Sequence, residues 1–241
     1  MPRQSDGPNL DTLDVLLKTQ RIKAFFVNSL FHSPTGSSLS AFNAFRILQL
    51  ANEHDILLVE DDVYGDFATD AHGRLVALDD LQKVVYVSSF SKTLSANLRV
   101  GYVVAPASVI STLADLKLLT SVTVPAFCER FLNAIQDEGM YQRHLRTLQQ
   151  RLKTHQAIAQ EAFQRWGWEI YHRASGGMFL QVRHRDVIDT DALIERGRTE
   201  HILLLPGKLF TADGRASSWL RINVSHLDVE KATGLFGTVS P

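Results

Sequence analysis

Apolar residues in the first hundred positions follow two alternating spacings. Leu10, Leu13, Leu16 and Leu17 recur at the helical period, and the run at residues 24–27 is short, Phe-rich and compact, as a buried strand is. A polar Ser-Pro-Thr-Gly-Ser-Ser loop at residues 33–38 precedes a second helical pattern at Phe42, Phe45, Ile47, Leu48 and Ala51. Residues 56–59 then predict another strand. Residues 84–87 and 100–104 predict two more, each a near-continuous apolar run of the kind buried on both faces of a helix-covered sheet. This order predicts the α/β class, with a mostly parallel sheet between helical layers (α/β/α).

Beyond Pro106 the pattern turns helical. Val109, Leu113, Leu116 and Leu119 form one segment and Phe127, Phe131, Leu132 and Ile135 the next, both expected to flank the sheet. Gly139 breaks the run. Leu145, Leu148, Leu152, Ile158, Ala159, Ala162 and Phe163 then describe an amphipathic helix of about five or more turns, long enough to bridge two domains. The remainder alternates short strands (residues 178–182, 202–205 and 219–224) with helices near residues 191–196 and 228–235, which predicts a smaller C-terminal α+β domain. The expected division is 1–138 and 139–241. There is no internal repeat and no low-complexity tract.

With 241 residues the chain can bury a core without disulfides or structural metal. Hydrophobic residues at 45% and charged residues at 21% exclude disorder, collagen-like repeats and coiled coil as the dominant state. Lys and Arg number 25 against 26 Asp and Glu, so the net charge of -1 implies no general attraction to nucleic acid or an anionic membrane. The single cysteine, Cys128, fits a reducing compartment, and no apolar run approaches the roughly 20 residues that span a bilayer. The expectation is a cytoplasmic protein. Nine histidines show no metal-ligand spacing, no metal is expected, and neither a dinucleotide nor a triphosphate loop motif is present.

The densest chemical signal is Ser88-Ser89-Phe90-Ser91-Lys92-Thr93-Leu94, directly after a strand and followed by Arg99-Val100-Gly101-Tyr102. Open α/β sheets bind ligands at the carboxyl ends of their strands. Serine hydroxyls and Arg99 there suit a phosphate dianion, and a lysine near that cation and partly desolvated becomes a nucleophile toward an aldehyde. A solvated loop lysine and a serine-lysine hydrolytic dyad are the competing readings. The second signal, Glu60-Asp61-Asp62-Val63-Tyr64, closes the strand at residues 56–59. Adjacent carboxylates there need solvent or a cationic partner. Helix-capping acids, a magnesium site, or a carboxylate paired with a protonated ring nitrogen all satisfy that need.

Together with Gly-Gly-Met-Phe-Leu at residues 176–180 and Leu-Arg-Ile-Asn at residues 220–223, these segments occur in the order and approximate spacing of a known family. The chain resembles the fold-type I pyridoxal-phosphate-dependent aminotransferases (class I and II), and within them the aminotransferase-like domains of MocR-type GntR regulators. The resemblance implies that Lys92 forms a Schiff base with pyridoxal phosphate. Ser89, Ser91 and Arg99 would bind its phosphate, Asp61 its pyridine nitrogen, and Tyr64 its ring oxygen. Arg221 would receive an amino acid's α-carboxylate. Ser33 stands where the family usually has an Asn that hydrogen-bonds the coenzyme's ring oxygen, so the resemblance implies a cofactor contact there, through a water because the side chain is shorter; Ala96 stands where these relatives usually have Pro. The family's glycine-rich phosphate loop and ring-stacking aromatic lie upstream of the matched segments, so the resemblance implies an incomplete large domain with open sheet edges. Poor solubility or association, as in a homodimer, is expected. The implied reaction passes an amino group between an amino acid and a 2-oxo acid. The alternative is a sensor domain that binds the coenzyme and an amine without turnover, with no nucleic-acid contact by this chain.

Overall fold

The computed structural model describes residue 1, residues 3–69 and residues 74–238. The chain divides into two compact units, Met1–Leu30 with Ser38–Leu148, and Phe31–Ser37 with Gln149–Pro241.

The first unit opens with a two-residue hairpin pair, β1 (Arg3–Gln4) and β2 (Gly7–Pro8), and the helix α1 (Leu10–Thr19). Asn9 caps α1 by accepting from the Thr12 amide (2.8 Å), and its inward face is Leu13 and Leu17. The central sheet has the order β3 (Ala24–Val27), β4 (Leu57–Asp61), β5 (Val84–Ser89) and β6 (Gly101–Val104). The first three strands run parallel, and β6 returns antiparallel to β5 with Ser89 opposite Gly101. A parallel neighbour requires a crossover, supplied between β3 and β4 by α2 (Ala41–Glu53) and between β4 and β5 by α3 (Leu75–Asp79). The chain is thus α/β with a mostly parallel central sheet.

The periodicity of α2 predicts its helix correctly and its inward face only in part. Ala44, Ile47, Leu48, Leu50 and Ala51 are buried, whereas Phe42 and Phe45 are 68% and 64% exposed. Ile47, Leu58, Leu75 and Val84 form the centre of this core, and full burial of one such side chain is worth about 1.5–3 kcal/mol. The helices α4 (Ala107–Thr120) and α5 (Ala126–Asp137) do not cover the sheet as expected: α4 buries none of its residues and α5 only Leu132. The apolar residues of α4 are spread around its axis, so no single face is marked for burial; Leu119 is 83% exposed. Helix α6 (Met140–Arg165) begins in the first unit and ends in the second.

In the second unit, β7 (Glu169–Ile170), β8 (Phe179–Arg183) and β9 (Trp219–Asn223) form an antiparallel sheet, accompanied by α7 (Asp191–Thr199) and α8 (Val229–Phe236). Phe163 lies edge-on to Trp166, Trp168 and Phe236, all within 6.0 Å between ring centres, and the Trp168 indole donates to the Phe236 carbonyl (3.1 Å). Residues 202–205 form no strand. Only Leu205 bridges to Arg221, and Leu203 is 85% exposed, so one residue of the run takes a ladder position.

Candidate functional site

In the first unit the chemistry gathers where β4 and β5 end. Asp61 closes β4 opposite Val87 of β5, so Asp61, Ser88 and Ser89 stand side by side at the carboxyl edge of a parallel pair. The Asp62 amide donates to the Val87 carbonyl (2.9 Å), and the Ser88 hydroxyl donates to the Asp62 carbonyl (3.3 Å). Asn28, just past β3, donates through its amide nitrogen to the Asp61 carbonyl (3.1 Å) and accepts at its own carbonyl from Arg3 (3.1 Å). The ends of all three parallel strands are therefore tied together, and the Asp61 carboxylate accepts from the Val63 amide (3.3 Å).

Lys92 lies in the loop joining β5 to β6, exposed, with its ammonium nitrogen 6.0 Å from the centre of the Tyr64 ring. That loop is internally braced. The Ser89 hydroxyl donates to the Val100 carbonyl (3.1 Å), accepts from the Ser91 amide (3.1 Å) and lies 2.9 Å from Ser91 Oγ. Arg99 ends the 3-10 turn Ala96–Leu98 in the left-handed region (φ 53°), which turns the chain back into β6 and brings the Val100 carbonyl to the Phe90 amide. Ser89, Ser91 and Arg99 consequently share one tight connection around Lys92. At Gly101 an added Cβ would lie 2.8 Å from the Ser88 carbonyl, so the close approach of β6 to the serine pair needs glycine.

The acidic run resolves into three distinct environments. Glu60 is completely buried and accepts from the Ser29 hydroxyl and from the Leu75 (2.8 Å) and Val76 (2.9 Å) amides, capping α3. Burial raises its carboxyl above the usual range, opposed by those donors. Asp62 is also buried, accepting from the Arg74 guanidinium (2.5 Å) and the Tyr86 hydroxyl (2.8 Å), and burial raises it against the pull of Arg74. Asp61 differs from both: it is only partly buried, and its carboxylate takes the Val63 amide and no charged partner among the described residues. Sequence reasoning could not distinguish these roles, because the partners Ser29, Arg74 and Tyr86 lie 12 to 31 residues away.

Ser33 and Arg221 fall in the second unit and meet there. The Arg221 guanidinium donates to Ser33 Oγ (3.0 Å), and its central carbon sits 4.4 Å from the Phe179 ring centre and 4.9 Å from that of Phe210. Arg221 is thus held by a hydroxyl and by contact with two aromatic rings and is not a loose surface strand residue. The Ser-Pro-Thr-Gly turn is closed by its own contacts: the Gly36 amide donates to the His32 carbonyl (2.7 Å), and Thr35 Oγ1 lies 2.8 Å from Ser37 Oγ. Phe179 and Phe210 escape a sequence reading as site residues, since an aromatic on a short strand reads as core and one at the end of the 3-10 turn Gly207–Phe210 carries no motif.

The sequence pattern of Aminotransferase class I and II matches residues 3–237. The chain is 29% identical over 237 residues to a 2-aminoadipate transaminase of Thermus thermophilus, covering 95% of this chain and 59% of that protein. It is also 29% identical over 192 residues to the HTH-type transcriptional regulator NorG of Staphylococcus aureus, covering 78% of this chain and 43% of the regulator. The crystal structure of LysN, the α-aminoadipate aminotransferase of Thermus thermophilus complexed with N-(5'-phosphopyridoxyl)-L-leucine, superimposes with a TM-score of 0.89 at 26% identity, covering 98% of this chain and 61% of that one. The chain spans less than two thirds of each of these relatives. Motif order, sheet topology and family match agree: the chain belongs to the class I and II aminotransferases.

Proposed function

We propose that this chain carries the coenzyme-binding part of a pyridoxal-phosphate-dependent aminotransferase, with Lys92 as the residue that bonds the coenzyme. The observation that carries the reading is the Lys92 amine beside the Tyr64 ring, with Asp61 and the Ser89–Ser91 hydroxyl pair on the same sheet edge. The donor set fits the group by chemistry. Hydroxyls and a guanidinium suit a phosphate dianion, a carboxylate suits a pyridinium nitrogen, a phenol suits a ring oxygen, and a primary amine suits an aldehyde. Pyridoxal phosphate would supply the aldehyde carbon and the electron sink that amino transfer requires.

The chain's own residues then have separable tasks. Ser89, Ser91 and Arg99 would hold the phosphate through a connection whose hydrogen bonds exist without it, which lowers the ordering cost of binding. Asp61 would keep a proton on the facing ring nitrogen, and Tyr64 would donate to the ring oxygen. The Lys92 amine, which would bond the coenzyme at rest, would also hold and release a proton beside the bound substrate as general base and acid. Arg221, its planar fork packed against the Phe179 and Phe210 rings, would receive an amino acid's carboxylate in exchange for its Ser33 contact.

Incubation with pyridoxal phosphate followed by borohydride should add the reduced pyridoxyl mass to the peptide containing Lys92, and Lys92→Ala should abolish the label. Equal labelling of both proteins would refute the assignment. The match to helix-turn-helix regulators supports a second reading, coenzyme and amine sensing without turnover. Single-turnover amino transfer from an amino acid separates the two: label without transfer favours the sensor.

A further inference from the structure

The proposed coenzyme-facing residues come from two chain segments, Asp61 to Phe67 and Ser89 to Arg99, and both touch the same side chain at the start of α6. Tyr141 is buried, and its hydroxyl donates to Asp66 Oδ2 (2.7 Å) while Thr93 Oγ1 lies 3.0 Å away. Because the Tyr141 proton is committed to Asp66, the Thr93 hydroxyl is the donor to Tyr141. Thr93 directly follows Lys92. Asp66 sits in the 3-10 turn Gly65–Phe67, whose last amide donates to the Tyr64 carbonyl (3.0 Å). One hydroxyl therefore links the turn behind Tyr64 to the residue beside Lys92.

Two further contacts make the link stiff. One turn along the same face of α6, His144 Nε2–H donates to the Thr93 carbonyl (2.7 Å), so Thr93 is held by side chain and backbone at once. The Phe90 ring packs edge-on against Tyr141 at 5.6 Å and 68°, fixing the other end of the Lys92 connection. Burial pushes the Tyr141 phenol up, opposed by the Thr93 donor and reinforced by Asp66, so the group stays protonated and remains a donor. The contacts of Tyr141 are with Asp66, Thr93 and Phe90, on the two segments themselves. Its effect is on the separation of the two segments.

We propose that Tyr141 is a positioning residue: its hydroxyl bridges Thr93 and Asp66 and thereby fixes the Lys92 amine relative to the Tyr64 phenol. The inference rests on the coenzyme reading above, and it adds a residue that lies 48 positions from Thr93 and 75 from Asp66 and touches neither reacting group. If the bridge is cut, both segments keep their own strands but lose their common reference. Tyr64 then holds the coenzyme's ring oxygen less well. A hydrogen bond donated to that oxygen favours its unprotonated form, so weakening it raises the pH at which the bound coenzyme's visible band is half converted.

Two measurements test this, one of which needs no coenzyme. A double-mutant cycle of Tyr141→Phe and Thr93→Val, read by urea unfolding of the coenzyme-free chain, should show a coupling of about threefold or more in the unfolding equilibrium. Additive effects would remove the bridge from the argument. With pyridoxal phosphate bound, Tyr141→Phe should raise the pH midpoint of the visible band by about half a pH unit or more. A lowered urea midpoint with an unmoved pH midpoint would reduce Tyr141 to a packing residue and overturn the proposal. Thr93→Val, which keeps the side-chain shape, serves as the second variant if Tyr141→Phe fails to fold. Failure of wild-type Lys92 to take the borohydride label would sink the coenzyme reading separately, and the coenzyme-free cycle would still decide whether the bridge couples the two segments.

Discussion

Glu60 offers the sharpest test of how the first unit is built. It has no exposed surface, and three donors converge on it: the Ser29 hydroxyl and the Leu75 and Val76 amides at the start of α3. In Glu60→Ala the Ser29 hydroxyl can turn elsewhere, but the two amides cannot. Each orphaned buried donor costs about 1–3 kcal/mol, and removing a carboxylate that is itself unfavourably buried offsets part of this, leaving a net loss of about 2–4 kcal/mol. Glu60→Gln should fall between. Its amide oxygen can keep the Ser29 and Leu75 contacts, while its NH2 faces the Val76 N–H, costing about 1–3 kcal/mol. Urea unfolding measures the sum, and hydrogen exchange at Leu75 and Val76 reports the local opening. The sign of the pH dependence follows from burial, which raises the Glu60 carboxyl in the folded chain. The folded state then binds the proton more tightly than the unfolded state, so the advantage of wild type over Glu60→Gln is fully present below the unfolded pKa. It shrinks as pH rises through the raised folded value. A Glu60→Ala protein within about 0.5 kcal/mol of wild type, with unchanged exchange at both amides, would refute the capping role.

Two further outcomes are expected. Gly65→Ala should destabilise the first unit by about 1–3 kcal/mol in urea, because the new Cβ would collide with the Asp62 carboxylate that Arg74 and Tyr86 hold in place; an unchanged midpoint would show that this carboxylate is free to move. Arg221→Lys retains the charge but loses the planar fork packed against Phe179 and Phe210, so binding of an amino acid's carboxylate by the coenzyme-loaded protein should weaken by about tenfold or more, read by spectral titration. Unchanged affinity would place the carboxylate elsewhere.

Much of the fold is legible in the sequence because its signals are local. Short apolar runs mark β3, β4, β5 and β6 to within one or two residues, and Gly139 marks the start of α6. The departures share a cause. Periodicity identifies an element but not which neighbour covers it, so Phe42 and Phe45 read as inward and stand outward, and the apolar residues of α4 read as a covering layer that they do not form. Residues 202–205 read as a strand by composition, yet a strand needs a partner along its length, and only Leu205 has one.

The candidate site divides in the same way. Chain order alone determined the residue types that could bind a phosphate, a ring and an aldehyde, since Ser89, Ser91, Lys92 and Arg99 lie within one connection. It also determined that Asp61 ends a strand with Tyr64 three residues beyond it. Tertiary structure decided which of three adjacent carboxylates stays available. Glu60 and Asp62 are consumed by donors from Ser29, Leu75, Val76, Arg74 and Tyr86, and those partners are chosen by the packing of strands and helices rather than by proximity in the chain. It decided likewise that Arg221 is clasped by two aromatic rings and that one tyrosine joins the segments on either side of the proposed site. A hydrogen bond is specified by the position and direction of two groups within about 3 Å, and for residues far apart in sequence only the folded backbone sets that distance.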